Sequence, residues 1–169
     1  MRIAAVGFAS PLHDEAWWRS SWKACLEELK AAGLRVAEPF IADPGRPLEP
    51  PPGARGIVAV VLTGGTSKQV ARFLLKVEKP AVLVALKHHN SLPSALEARA
   101  YLRPWRWVKL VQAEPGWGVE VADYLRKAVE ARERLKGRLL AIGGASIDAS
   151  LEQAGPEKLA SLLGVEVVD

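Results

Sequence analysis

"GIVAVVLTGGTSKQVARFLLKVEKPAVLVALKHHNSLPSALE" spans residues 56–97 and reads as two apolar strands, each passing through a short polar loop into a helix. Residues 56–65 are apolar almost throughout until they reach Gly64 and Gly65, as a strand covered on both faces requires. "TSKQ" (66–69) matches a capping box, with Thr66 as the cap and Gln69 reaching back to it. Val70, Phe73, Leu74 and Val77 then share one helical face. "PAVLVAL" (80–86) is a second buried strand, and a helix follows from about Leu92 to Arg103. Ser91 is placed to cap that helix, and Pro93 is tolerated in its first turn. Strands that alternate with helices in this way predict a parallel sheet.

The same alternation continues on both sides. "IAAVGF" (3–8) is a first strand, and residues 13–32 form a helix with Trp18, Trp22, Cys25 and Leu29 on one stripe. Gly33 suits the position just past a helix end, where a left-handed backbone is cheap. "LRVAEP" (34–39) is the next strand, and the proline-rich stretch 44–53 is a surface loop. "WVKLVQ" (107–112) is a fifth strand, followed by a long helix that buries Val121, Leu125, Ala128 and Val129. The expectation is an α/β flavodoxin-like doubly wound sheet of about five parallel strands over residues 1–137. Residues 138–169 supply a further strand, helix and strand, a β-α-β extension resembling the start of a second α/β domain. Strands 138–143 and 165–168 are expected to pair in parallel through a right-handed crossover, with their exposed face seeking a partner.

Composition narrows the class. The 169 residues are 49% hydrophobic and 25% charged, which is globular and not disordered. No apolar run reaches the roughly 20 residues that cross a bilayer, and the start does not read as a signal peptide. A single cysteine excludes an internal disulfide and any multi-cysteine metal site. A cytoplasmic location follows as an expectation. One Asn, one Met, one Cys and a proline-rich loop form a thermophile-like bias. The net charge of +4 suits an anionic ligand but is mild.

In open α/β sheets ligands bind beyond the carboxyl ends of the strands, where the strand order reverses. The loops expected there are "ASPLH" (9–13), "TGGTS" (63–67) and "KHHNSLP" (87–93). Gly64, Gly65 and Thr66 offer backbone N–H groups at a helix start, which favours an anion or a polar oxygen, although a tight turn with a capping box accounts for the same residues. His88, His89 and Asn90 have no such structural explanation. If they end a strand, neighbouring side chains point to opposite sides, so one histidine faces the crevice. Imidazole and amide groups suit sugar hydroxyls, carbonyls or phosphates. Neither a metal site nor a catalytic triad has recognisable spacing. In "YLRPWRWVK" (101–109), Trp105 and Trp107 flank Arg106 and could stack on single-stranded nucleic acid. Anchoring of the fifth strand by the tryptophans explains the stretch better, and nucleic acid is not the expected partner.

The succession of "TGGT", a helix, "KPAVLVAL" and "HNSLPSALEARAYL" resembles the N-terminal region of fucose/arabinose isomerase-like proteins, in particular archaeal sugar-isomerase-like members. "LLAIGGAS" and "LASLLGVEVV" are similar to the start of their next domain, so the resemblance covers essentially the whole chain. Its most specific element is "NSLP" (90–93), where many relatives read Asn-Ser-Leu-Cys-Gly; Pro93 and Ser94 stand here instead. The resemblance implies aldose–ketose isomerisation assisted by a divalent metal such as Mn, whose ligands lie in later domains that this chain lacks. It implies no cofactor and no catalytic residue here. It implies a substrate-recognition half that binds a sugar or sugar phosphate, with Asn90 and Ser91 as candidate contacts. Gly64, Gly65, Thr66, His88 and His89 join them from the physical reading. Chemistry would then need a separately encoded C-terminal half, and a homo-oligomer or such a complex is expected. The alternative is a stand-alone binding or regulatory module for the same ligands.

Overall fold

The computed structural model describes residues 1–42, 49–77, 79–102, 107–134, 138–140 and 166–168. Two compact units divide the chain, Met1–Arg126 and Lys127–Asp169.

In the first unit, β1 (Arg2–Phe8), β2 (Arg35–Ile41), β3 (Gly56–Val61), β4 (Ala81–Ala85) and β5 (Val108–Gln112) form one sheet in the order β2-β1-β3-β4-β5. Every pairing is parallel. That is the flavodoxin-like order, and it reverses between β1 and β3. The helices α1 (Glu15–Ala31), α2 (Ser67–Val77) and α3 (Ser91–Tyr101), with α4 (Trp117–Arg134) as far as Arg126, complete the α/β architecture of this unit. The strand between α1 and the proline-rich loop runs to Ile41, two residues past the expected end.

The strands sort their side chains by alternation. Ile3, Ala5, Val58, Val60, Leu62, Val82, Val84 and Val111 pack with Trp22, Cys25 and Leu29 of α1 and with Trp117, Val121, Ala122 and Leu125 of α4. The alternate residues Ala4, Val6, Phe8, Ile57, Ala59 and Val61 are also fully buried. Phe8 meets Phe73 of α2 with ring centroids 5.8 Å apart. All of β3 and β4 is buried, which explains their unbroken apolar sequence. Each fully buried Val, Leu, Ile or Phe contributes about 1.5–3 kcal/mol of transfer free energy, so this sheet is the source of the unit's stability.

The edge strand β2 is only partly covered. A bulge opposite Ala5 puts Glu38 at φ 40°, and Pro39 follows it. A bulge and a proline both discourage another strand from adding to that edge. Among the described residues, no helix is long and apolar enough to cross a membrane.

In the second unit, β6 (Arg138–Leu140) and β7 (Glu166–Val168) pair in parallel, with Leu139 opposite Val167. This is the pairing expected from their sequences. The crossover between them lies outside the described residues, as do Trp105 and Arg106 of the proposed stacking stretch.

Helices α1 and α4 approach closely at Gly118, where an added Cβ would stand 2.8 Å from the carbonyl oxygen of Glu28. In an open helix Gly→Ala stabilises by about 1 kcal/mol. Gly118→Ala is expected to do the reverse, because backbone cannot step aside as a side chain can; the overpacking cost is roughly 1–3 kcal/mol. A thermal scan checks the sign, and a raised Tm would show that the two helices are free to part.

Candidate functional site

Three loops meet beyond the carboxyl ends of β1, β3 and β4, and hydrogen bonds lock them together. The Ser10 N–H donates to Thr63 Oγ1 at 2.7 Å, joining the β1 loop to the β3 loop. The Gly64 N–H donates to the His89 carbonyl at 2.7 Å, joining the β3 loop to the β4 loop. The Thr66 N–H donates to Ser94 Oγ at 3.2 Å. A Cβ on Gly64 would lie 2.8 Å from the Asn90 Cβ, so only glycine permits this approach.

Ser91 does not act as the helix cap expected of it. Its side chain is buried, its Oγ accepts from the Leu86 N–H at 2.7 Å, and its hydroxyl donates to the Val61 carbonyl. It therefore ties the end of β3 to the end of β4. Asn90 occupies the cap position instead, in the left-handed region at φ 56°, and its side chain makes no capping bond. A left-handed residue cannot aim its carboxamide at the helix N–H groups as an extended cap does.

Thr66 is likewise consumed internally: it is buried, and its hydroxyl donates to the Thr63 carbonyl at 3.1 Å. Gln69 does not close the expected capping box: the Thr66 N–H that its Oε1 would accept from donates to Ser94 Oγ instead, and its Nε2 is buried without a partner. Two of the N–H groups that the glycine turn was expected to present, those of Gly64 and Thr66, are thus already spent. Gly65 remains at the surface with φ 78°, its Cβ position 3.9 Å from Ser10 Oγ.

What the loops expose is a set of rings and amides. β4 ends at Ala85, so His88 and His89 lie in a turn and strand alternation does not govern them. His89, at φ 54°, packs its ring on Trp17 with centroids 3.9 Å apart and meets His13 edge-on at 5.4 Å. His88 lies in the wall of a groove of about 400 Å³ that also includes Trp17, Ser21, Lys87 and Trp117. His88, His89 and Asn90 are all exposed. Asp14 caps α1, its carboxylate accepting from the Ala16 N–H at 2.9 Å, and this fixes Trp17 one turn into the helix. A larger hollow of about 620 Å³ lies among Met1, Arg2, Gly33 and Arg35. It sits at the amino ends of β1 and β2, the wrong end of the sheet for a ligand site.

His13 and Trp17 were not singled out by the sequence reading. Trp17 falls off the buried stripe of α1, and the adjacent Trp-Trp pair at its start was the available signal. The chemistry on offer is recognition. Imidazoles and a carboxamide exchange hydrogen bonds with hydroxyls, carbonyls or phosphates, and an indole covers apolar ring faces. Cys25 is no nucleophile, for burial and then the charge of Glu28 push its thiol up to about 12. Among the described residues, no three His, Cys, Asp or Glu side chains are grouped to hold a metal ion.

The fold is α/β with a flavodoxin-like strand order, and the three loops gather at its strand-order reversal. No model of a known protein family matches the chain, and no curated protein sequence matches it.

Two outcomes test this geometry. Ser91→Ala is expected to cost about 2 kcal/mol, because it strands the half-buried Leu86 N–H and the buried Val61 carbonyl; Asn90→Gly, which suits the left-handed backbone, is expected to leave Tm unchanged or raise it slightly. Equal losses in thermal scans would refute the assignment of Ser91 as the tie. The second outcome concerns pH. A thiol that keeps its proton to about 12 when folded adds stability below the ordinary thiol range and loses it as pH rises toward that value. Alkylation of native Cys25 by iodoacetamide at pH 8 is therefore expected to run on the order of a hundredfold slower than in the urea-unfolded chain; matching rates would contradict a buried neutral thiol.

Proposed function

We propose that this chain is the substrate-recognition half of a sugar isomerase-like protein, binding a sugar or sugar phosphate on the 9–13, 63–67 and 87–93 loops. The observation that carries the reading is the Trp17–His89–His13 ring cluster, with the exposed imidazole of His88 and carboxamide of Asn90 next to it in sequence. A flat aromatic surface covers the C–H face of a pyranose, while neighbouring imidazole and amide groups take its hydroxyls in directional bonds. The resemblance of "TGGT" and "NSLP" to fucose/arabinose isomerase-like proteins supports the same ligand class.

Isomerisation moves a proton between adjacent carbons and needs a positioned base together with charge stabilisation of the enediol. In this reading both come from a separately encoded C-terminal half that carries the divalent metal, such as Mn. This chain positions the sugar and closes over it. The cytoplasm is the proposed location, and a homo-oligomer or the two-part complex is the proposed working form.

Isothermal titration of the full chain with aldoses, ketoses and their phosphates tests the proposal. Saturable binding of at least one sugar is expected. Asn90→Gly is expected to weaken it by roughly threefold to tenfold, the loss of about one hydrogen bond, and Trp17→Ala by more. Absence of binding across the whole panel, or robust metal-dependent isomerisation by the pure chain alone, would overturn the assignment.

A further inference from the structure

The outward face of α2 carries a row of charge with no counterpart on the other helices. Lys68, Arg72 and Lys76 stand at i, i+4 and i+8, so they form one line along the helix, and all three are exposed. The opposite face, with Val70, Phe73, Leu74 and Val77, is buried and fixes the orientation of the row. No acidic residue occurs in α2. Among the described residues the three side chains make no ion pair and no hydrogen bond. Glu97, the one carboxylate of the neighbouring α3, accepts instead from the Tyr101 hydroxyl at 3.4 Å.

This pattern works against the helix that carries it. Like charges at i, i+4 repel, and Lys68 sits in the first turn, where the macrodipole disfavours a cation. At the same spacing elsewhere the chain pairs opposite charges, Glu15 with Arg19 on α1 and Glu130 with Arg134 on α4. The stability of α2 therefore gives no reason for the row, and a second molecule can supply the counter-charge that it lacks.

The geometry of the row selects the kind of molecule. Successive cations are separated by about 6 Å of helix rise, a repeat that carboxylates at i, i+4 and i+8 of another helix reproduce. Leu75 is 48% exposed and lies three residues beyond Arg72, so an apolar side chain borders the row. Charge with apolar contact at its side suits an amphipathic helix better than a phosphate backbone. One half-exposed leucine offers too little apolar surface to enter a bilayer. A second copy of the chain does not fit either, because none of α1 to α4 carries carboxylates at i, i+4 and i+8.

We propose that the Lys68–Arg72–Lys76 row, with Leu75 beside it, is a docking face for an acidic amphipathic helix of another protein, whose carboxylates at i, i+4 and i+8 meet the three cations. The assignment does not depend on the sugar reading, and a chain that binds no sugar is still expected to bind the acidic helix.

Fluorescence anisotropy of a labelled helical peptide titrated with the full chain tests it. The peptide carries glutamates at i, i+4 and i+8 with leucines along one side of them, and its control carries glutamines in place of the glutamates. At about 50 mM salt the acidic peptide is expected to bind saturably and the control about tenfold or more weaker, with the difference shrinking as salt is raised. Replacing the row together, by Lys68→Gln, Arg72→Gln and Lys76→Gln, is expected to weaken the acidic peptide about tenfold or more. The same variant is expected to leave Tm unchanged or slightly raised, since the repulsion within the row is removed with it. Leu75→Ala is expected to weaken the peptide about threefold. A single-stranded oligodeoxynucleotide and vesicles of phosphatidylserine and phosphatidylcholine are expected to bind more weakly than the peptide. Tighter binding of the oligonucleotide or the vesicles, equal binding of the two peptides, an unaltered affinity in either variant, or no saturation by about 1 mM, the regime of very weak contacts, would each overturn the proposal.

Discussion

The approach of Gly64 to the His89–Asn90 backbone is the constraint on which the site depends. Parallel strands cannot be joined by a hairpin, so the loops after β3 and β4 arrive from separate crossovers. Only contacts between the loops themselves can set their relative position. The Gly64 N–H bond to His89 does this, and it forms because the absent Cβ leaves room for the Asn90 side chain 2.8 Å from where that Cβ would be. Ser91 adds the second tie by bridging Val61 and Leu86, and Thr63 adds the third by accepting from Ser10. With three loops held, the His89 ring has a fixed place against Trp17, and the exposed groups gather at one mouth.

The sheet was legible in the sequence because burial on both faces leaves little choice of residue. β3 and β4 are continuous apolar runs, α2 has a clean stripe, and the spacing of elements gives parallel pairing. The ends of the helices were not legible in the same way. Thr66 and Ser91 have the residue type and spacing of caps, yet the Thr66 hydroxyl turns back to the Thr63 carbonyl within its own loop and the Ser91 hydroxyl is used for a tie to Val61, 30 residues earlier. A cap is a local bond, and its sequence signature cannot reveal a competing acceptor 30 residues away. Trp17 was missed for the mirror-image reason. It lies off the buried stripe, so periodicity assigns it to solvent, and only the folding of the β4 loop toward α1 gives it the His89 ring.

Charge placement follows the same division between local and long-range. Arg19 with Glu15, and Arg134 with Glu130, are helix pairs readable from spacing, and such exposed pairs contribute little. The informative carboxylate is Glu28, on the last turns of α1, whose partner is a backbone N–H 90 residues further along. That contact requires the close crossing at Gly118. The small residue at the start of α4 therefore sets both the helix packing and the position of that carboxylate.

The backbone at residues 89 and 90 gives the last step. Two successive non-glycine residues in the left-handed region cost of order 1–2 kcal/mol each for an ordinary side chain, and less for Asn, whose short amide tolerates the conformation. This offers a structural reason for the chain's single asparagine to stand at residue 90, one that its residue type alone did not disclose. It is not a complete reason. Glycine meets the same backbone demand at lower cost, as it does at Gly33 and Gly65, each with φ near 78°. At 89 and 90 the chain instead carries an imidazole and a carboxamide in the exposed turn, at the end of the sheet where α/β proteins take up ligands. Backbone strain is tolerated there alongside exposed polar groups, and it is this pairing of strain with exposed imidazole and carboxamide that the proposed ligand-binding role would account for.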